Sequence, residues 1–326
     1  MLRFLIRRAL GALVIIVLLI ALTYFAFFSL PTDPARLSCS KGCTPELLQQ
    51  IRVNMHLNLP IYEQFWNYFS GLFVGQDFGT AGHCAAPCFG YSYNTQSFVW
   101  DRITSNYPAT FVLAIGGAAI FLSVGVGLGM VSAWKQGKFA DKAASAIGLI
   151  GQSTQIYFLG PLAMALFVVN LHWLPQPAYI PWTQDPWGCF MGMLLPWTVM
   201  SVIFWSNYSR QVRSLMLEQL SEDHIRAARA KGMSNSYVWW RYALRGAMAP
   251  IITIFGIDLG AVFSGAIITE ITFGVHGLGY LAVKAVNQAD LYLELGVLIF
   301  SSVSILLFNI IVDAAYGLLD PRVRIG

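Results

Sequence analysis

The sequence predicts an all-α integral membrane protein with six transmembrane helices, a long extracytoplasmic loop between helices 1 and 2, and a short cytoplasmic helix between helices 4 and 5. Three observations carry that prediction. Apolar residues make up 56% of the 326-residue chain and charged residues only 11%, where an average soluble domain carries roughly 25% charged residues to cover its surface. Six apolar runs reach the roughly 20 residues that a membrane helix needs at about 1.5 Å per residue. The basic residues fall in short clusters between those runs. The same composition excludes intrinsic disorder, and a net charge of +4 spread over separate clusters argues against a nucleic-acid-binding face.

The predicted spans are residues 9–30, 107–132, 143–169, 189–207, 247–272 and 293–319. The first is too long for the apolar region of a secretory signal, and Pro31-Thr32-Asp33-Pro34 is no small-residue cleavage site, so it is expected to be retained. An even number of spans puts both ends on one side. That side would hold fifteen of the twenty Lys and Arg residues. They are Arg3, Arg7 and Arg8, three in 135–142, seven after span four and two at the C-terminus. The other side holds Arg36, Lys41, Arg52, Arg102 and Lys284. An excess of positive charge marks the cytoplasmic face, so both termini are expected in the cytoplasm.

The whole of 1–326 reads as one membrane domain, with 31–106 as the extracytoplasmic loop and 208–246 as the cytoplasmic loop. The outer loop contains a helix-like piece over 44–55, with Thr44 as N-cap and Pro45 at the first helical position. The aromatic stretch 61–73 that follows suits a position along the membrane surface.

No phosphate-cradling G-x-x-x-x-G-K-[ST] motif occurs. Gly125, Gly127 and Gly129 lie inside an apolar run with no strand before them, so they read as sites of close helix packing rather than a dinucleotide turn, and Gly256 and Gly260 read alike. The five His residues are scattered. No catalytic residue, bound cofactor or metal ligand is therefore expected in this chain. The cytoplasmic loop carries the strongest local pattern, Ser221 to Met233. Glu222 and Asp223 suit a helix start and Lys231 with Gly232 its end, while Ala227, Ala228 and Ala230 leave room for a partner's close approach among Arg226, Arg229 and Lys231. An ordinary solvated connector would read equally well from this pattern alone.

With RAARAKG ending eighteen residues before Pro250, the loop resembles the coupling loop in membrane subunits of bacterial ABC importers, Arg226 standing where the superfamily has Glu. MLRFLIRRALG, LPTDPAR, LNLPIYEQF, GLFVGQDFGT, NYPATF, RQVRSLMLEQLSEDHIRAARAKGM, TEITFGVHGLGYL and LLDPRVRIG extend the resemblance over nearly the whole chain, to the B-type permease of oligopeptide and dipeptide importers. Departures occur at Gln155, Tyr157 and His276, and in the segment 84–94. The resemblance implies a multi-pass subunit of a bacterial plasma membrane that forms half of a translocation path. Its partners would be a homologous sister permease, two ATPase domains that hold the ATP and magnesium, and an extracytoplasmic peptide-binding protein. Glu222 and Arg226 to Gly232 would dock on an ATPase and pass its motion to the membrane bundle. Another cargo such as nickel, or a proton-coupled secondary transporter using Asp258 or Glu270, are the rival readings.

Asp258 lies about eleven residues into span five, roughly 16 Å deep, where a charge usually faces a cavity or partner. Gln155, Tyr157 and Asp258 are accordingly candidates for the path or the seam with the sister subunit, with helix-packing hydrogen bonds as the alternative. Cys39, Cys43, Cys84 and Cys88 all lie in the outer loop, where an oxidising compartment favours disulfides over zinc, with three possible pairings. Cys189 reads as an unpaired packing residue.

Overall fold

The computed structural model describes residues 2–29, 33–38, 44–263 and 265–319. Helix α1 (Leu2–Ser29) leads into the 31–106 segment, which holds α2 (Pro34–Leu37), α3 (Pro45–Asn54) and α4 (Ile61–Val74). Two small antiparallel hairpins follow, β1 (Gln76–Asp77) with β2 (His83–Cys84) and β3 (Tyr91–Ser92) with β4 (Ser97–Phe98). Then come α5 (Val99–Trp134), α6 (Phe139–Ser153), α7 (Ile156–Ala163) and α8 (Pro186–Ser221). The 208–246 segment contains α9 (Asp223–Ala230) and α10 (Asn235–Val238), and the chain continues through α11 (Leu244–Phe263), α12 (Ile267–Phe273), α13 (Leu278–Asn287) and α14 (Leu291–Leu319).

Five helical stretches among the described residues are long and apolar enough to cross a membrane: Leu10–Ser29, Val99–Trp134, Pro186–Ser221, Asn235–Phe263 and Leu291–Ile311. The expected third span is not one straight helix. It divides into α6 and the 156–170 stretch, which meet at 100°, so a sixth crossing exists if this bent pair is one span. Gln152, Ser153, Thr154 and Gln155 form the polar break, and Thr154 and Gln155 take extended backbone conformations there. A long-window average of hydropathy smooths over four such residues. The fifth span also ends early, at Phe263, and Gly265 has a φ of +127°, a conformation side chains resist. The fourth runs the other way: α8 continues fourteen residues past the predicted end at 207, because the polar sequence from Asn207 to Ser221 still suits a helix. Its 36 residues span about 54 Å, well beyond a hydrocarbon core of about 30 Å.

The main packing event is α5 against α8. A Cβ placed on Gly125 would lie 2.6 Å from Tyr208 Cβ, and one on Gly129 would lie 2.6 Å from both the Ser209 carbonyl oxygen and Val212 Cβ. The two backbones approach closely because those side chains are absent. Trp197 Nε1 donates to the Val112 carbonyl at 3.0 Å and Ser201 Oγ to the Gly117 carbonyl at 3.1 Å, tying the same pair together. Gly127, by contrast, faces open space.

The described residues of the 31–106 segment form a folded cap. Ile51, Met55, Tyr68, Phe78 and Phe89 share a buried cluster with Tyr24 and Phe28 of α1 and Tyr292 of α14. Asp290, buried at the start of α14, accepts hydrogen bonds from Ser92 Oγ and the Leu293 backbone N–H. Burial holds its carboxyl above the usual carboxylate range against the opposing pull of those bonds. Cys84 and Cys88 are joined by a disulfide. Cys39 and Cys43 lie outside the described residues.

Gly125→Val should cost about 1–3 kcal/mol by overpacking and lower the thermal unfolding midpoint of the purified protein, while Gly127→Ala leaves it nearly unchanged. Since the Asp290 pKa is raised in the fold, its contribution is present at pH below the ordinary carboxylate range and is lost as pH rises through the raised value. Proteolytic nicking of the 91–98 hairpin should therefore increase with pH, and Asp290→Asn should flatten that dependence.

Candidate functional site: helix α9 and the polar groups of the spans

Helix α9 forms because its ends are satisfied. The Glu222 carbonyl accepts from the Ile225 and Arg226 N–H groups at 3.1 and 3.2 Å, and Glu222 itself is the residue at which α8 stops and α9 starts. At the other end Gly232 has a φ of +80°, its N–H donates to the Arg229 carbonyl at 2.9 Å, and the Met233 N–H reaches the Ala228 carbonyl at 3.3 Å. That closure needs a left-handed residue, which glycine supplies without strain.

The helix has two faces. Ile225 and Ala228, three apart, are buried in a cluster with Val212 and Met216 of α8 and Val238, Trp239 and Ala243 of the following segment. Glu222, Arg226, Ala227, Arg229, Ala230, Lys231 and Gly232 are exposed. Arg226 pairs with Asp223 at 3.3 Å, in solvent, where such a pair adds little. Of the eight residues singled out from sequence, seven therefore share the solvent side, and Ala228 belongs to the inner face that seats the helix on α8.

A second group near this end was not singled out from sequence. Asp141, at the start of α6, receives both Arg213 Nε at 2.7 Å and Nη2 at 2.9 Å, Ser132 Oγ at 2.5 Å and the Gly137 N–H at 2.9 Å. The forked guanidinium matches the two carboxylate oxygens. This clamp fastens the α5–α6 turn to α8 nearly three turns before α9 begins. Its sequence signal is faint: Asp141 is the lone acid in the basic segment 135–142.

The three path candidates are not gathered into one contact. Asp258 of α11, half-buried, accepts a hydrogen bond from Tyr208 Oη of α8 at 2.9 Å. Gln155 is exposed at the α6–α7 break, where its carbonyl accepts from the Phe158 and Leu159 N–H groups and starts α7. Tyr157, two residues on in α7, is also exposed. Nearby Gln152 accepts from Arg210 of α8. Glu270 is fully buried, and accepts from Thr110 Oγ1 at 2.7 Å and the Tyr280 N–H at 2.8 Å; Thr110 Oγ1 in turn accepts from the Leu278 N–H at 2.8 Å. It joins α5, α12 and α13, a role that its position near a span end did not reveal.

Residues 125–325 match the family described as binding-protein-dependent transport system inner membrane component, and residues 1–114 match its N-terminal companion. The chain belongs to this permease family. Among its relatives, the probable D,D-dipeptide transport system permease protein DdpB of Escherichia coli (strain K12) is 30% identical, covering 98% of this chain and 97% of that protein. The glutathione transport system permease protein GsiC of the same strain is 29% identical, covering 99% of both. The probable peptide ABC transporter permease protein y4tP of Sinorhizobium fredii is 30% identical, covering 98% of this chain and 99% of that protein. A solved chain of the MetNI methionine ABC transporter in an inward-facing conformation is similar over 68% of this chain and 94% of its own, with 18% identity and a TM-score of 0.50, a likeness of fold alone. The permease is thus a multi-pass inner-membrane transport component, and the α8–α9 junction and the α6–α7 break lie inside the matched region.

Arg213→Ala should cost this permease about 1–3 kcal/mol by leaving a buried carboxylate short of donors. Arg213→Lys should recover only part, since an ammonium cannot fork onto both oxygens. Thermal unfolding in detergent reads both.

Proposed function

We propose that this permease is one of two membrane halves of an ATP-driven peptide importer, and that α9 is where motion from an ATPase enters it. The observation that carries the reading is the division of α9 into a buried Ile225–Ala228 side and an exposed side with two small residues, Ala227 and Ala230, framed by Arg226, Arg229 and Lys231. A helix of this kind can be pressed upon without yielding, because its inner face is already packed on α8. Peptide cargo is supported by the names of relatives that align over nearly the full chain, which cover peptides, a D,D-dipeptide and glutathione.

In this account ATP closes two ATPase domains outside this chain, and each carries a docked helix with it. The α8–α9 unit moves as a body, and the bundle switches between two packings. Both termini and the 208–246 loop would be cytoplasmic, and a binding protein would deliver peptide to the outer face. The homologous sister subunit would complete the path, with Gln155, Tyr157 and the Asp258–Tyr208 pair on its wall or at the seam.

The test separates docking from folding. Ala227 is exposed, so Ala227→Trp should leave the unfolding midpoint of this chain unchanged. It should lower both ATPase co-purification and peptide uptake by at least about tenfold, the equivalent of roughly 1.4 kcal/mol of lost contact. Ala228→Trp should instead unfold the loop. Unchanged uptake in Ala227→Trp, or uptake by the chain reconstituted without any ATPase, would refute the coupling role.

A further inference from the structure

Helix α4 has an apolar side that no other described residue covers. Gln64, Tyr68, Gly71 and Leu72 turn inward, against α1 and the outer-loop core. On the other side Tyr62 is 64% exposed, Trp66 65% and Phe73 69%, with Phe69 between them. Residues 62, 66, 69 and 73 fall at spacings of four, three and four, which is one stripe of a helix. Glu63 is the single charged residue in the fourteen of α4. So much exposed aromatic surface is costly in water.

The stripe does not stand alone. Phe65 stacks on Phe25 of α1 with ring centres 5.6 Å apart, Phe65 stacks on Phe69 at 5.9 Å, and Trp66 stacks on Phe69 at 5.9 Å. Phe25 lies near the end of a membrane-crossing stretch, Leu10–Ser29, whose outward residues Leu18 and Leu22 share its face at spacings of four and three. An apolar surface therefore runs without interruption from the side of a spanning helix onto α4. Because Phe25 is four residues from the end of that stretch, α4 meets it about 6 Å below the end of the span, at the depth where aromatic rings settle between headgroups and acyl chains.

We propose that α4 is an interfacial anchor: it lies in the outer leaflet's headgroup boundary with Tyr62, Trp66, Phe69 and Phe73 in lipid, and holds the outer-loop cap at a fixed height on the bilayer. The occupant of the stripe is lipid rather than a protein partner, because the surface is continuous with the exposed apolar side of a helix long and apolar enough to cross a membrane. The absence of lysine and arginine from α4 means that the anchor works by apolar burial and not by attraction to anionic lipid. This inference rests on the membrane-spanning reading and on neither the cargo nor the coupling role.

Brominated lipids test it, since bromine quenches tryptophan on contact. The full chain in nanodiscs of neutral phosphatidylcholine, brominated either near the headgroup or near the acyl terminus, is compared with Trp66→Phe. The fluorescence lost on that substitution isolates Trp66, and the variant keeps the ring and the fold. Expected is quenching of the Trp66 component at least about twofold stronger by shallow than by deep bromines, unchanged when anionic lipid is added. Phe73→Asp should weaken that quenching while the unfolding midpoint in detergent holds. Quenching of Trp66 by aqueous iodide and by neither lipid overturns the proposal, as does shielding of Trp66 that arises only when an extracytoplasmic binding protein is added.

Discussion

The close approach of α5 and α8 is the constraint on which the rest of the molecule depends. With Gly125 and Gly129 lacking side chains, the Tyr208 and Val212 flanks of α8 sit against the α5 backbone. In lipid there is little hydrophobic gain from bringing two apolar helices together, so contact area and interhelical hydrogen bonds do that work. The indole of Trp197 and the hydroxyl of Ser201 add two such bonds to backbone carbonyls of α5. Lower down, Arg213 adds a charged clamp to Asp141 at the beginning of α6. The helix pair and the turn after it thus form one rigid block, and α8 carries that block out of the membrane to α9.

What the sequence revealed and what it hid follow from range. Spans were legible because apolar composition over about twenty residues is a local property. The ends of α9 were legible because Glu222, Asp223, Lys231 and Gly232 mark helix termini by chemistry that acts within one turn. The packing role of Gly125 and Gly129 was legible from their apolar setting, although Gly127 in the same run meets nothing. The 100° break after Ser153 was hidden, since four polar residues scarcely change a long average. The Asp141–Arg213 clamp was hidden because its members are 72 positions apart, and so was the Glu270–Thr110 bond, at 160. The inward turn of Ala228 required knowing where Val212 and Met216 of α8 lie.

The cap and the helix α9 answer different demands. At the cap, Tyr24, Tyr68 and Tyr292 converge in one buried cluster, so that α1, the loop and α14 behave as a single piece. At α9, Ile225 and Ala228 seat the helix while Ala227 and Ala230 are left bare. Between the two ends several polar side chains pair across helices: Asp258 with Tyr208, Gln152 with Arg210, Glu270 with Thr110. Such pairs hold helices in register.

If α9 is a rigid extension of α8, the distance between them should not depend on what the motor does. Spin labels on exposed Ser214 of α8 and exposed His224 of α9, both off the proposed docking face, measure that distance by pulsed electron resonance with the ATPase partners present. A single narrow distribution, identical with and without ATP, is the predicted result. A distribution that broadens or moves when ATP is added would show a flexible connector in place of a lever, and would contradict the account.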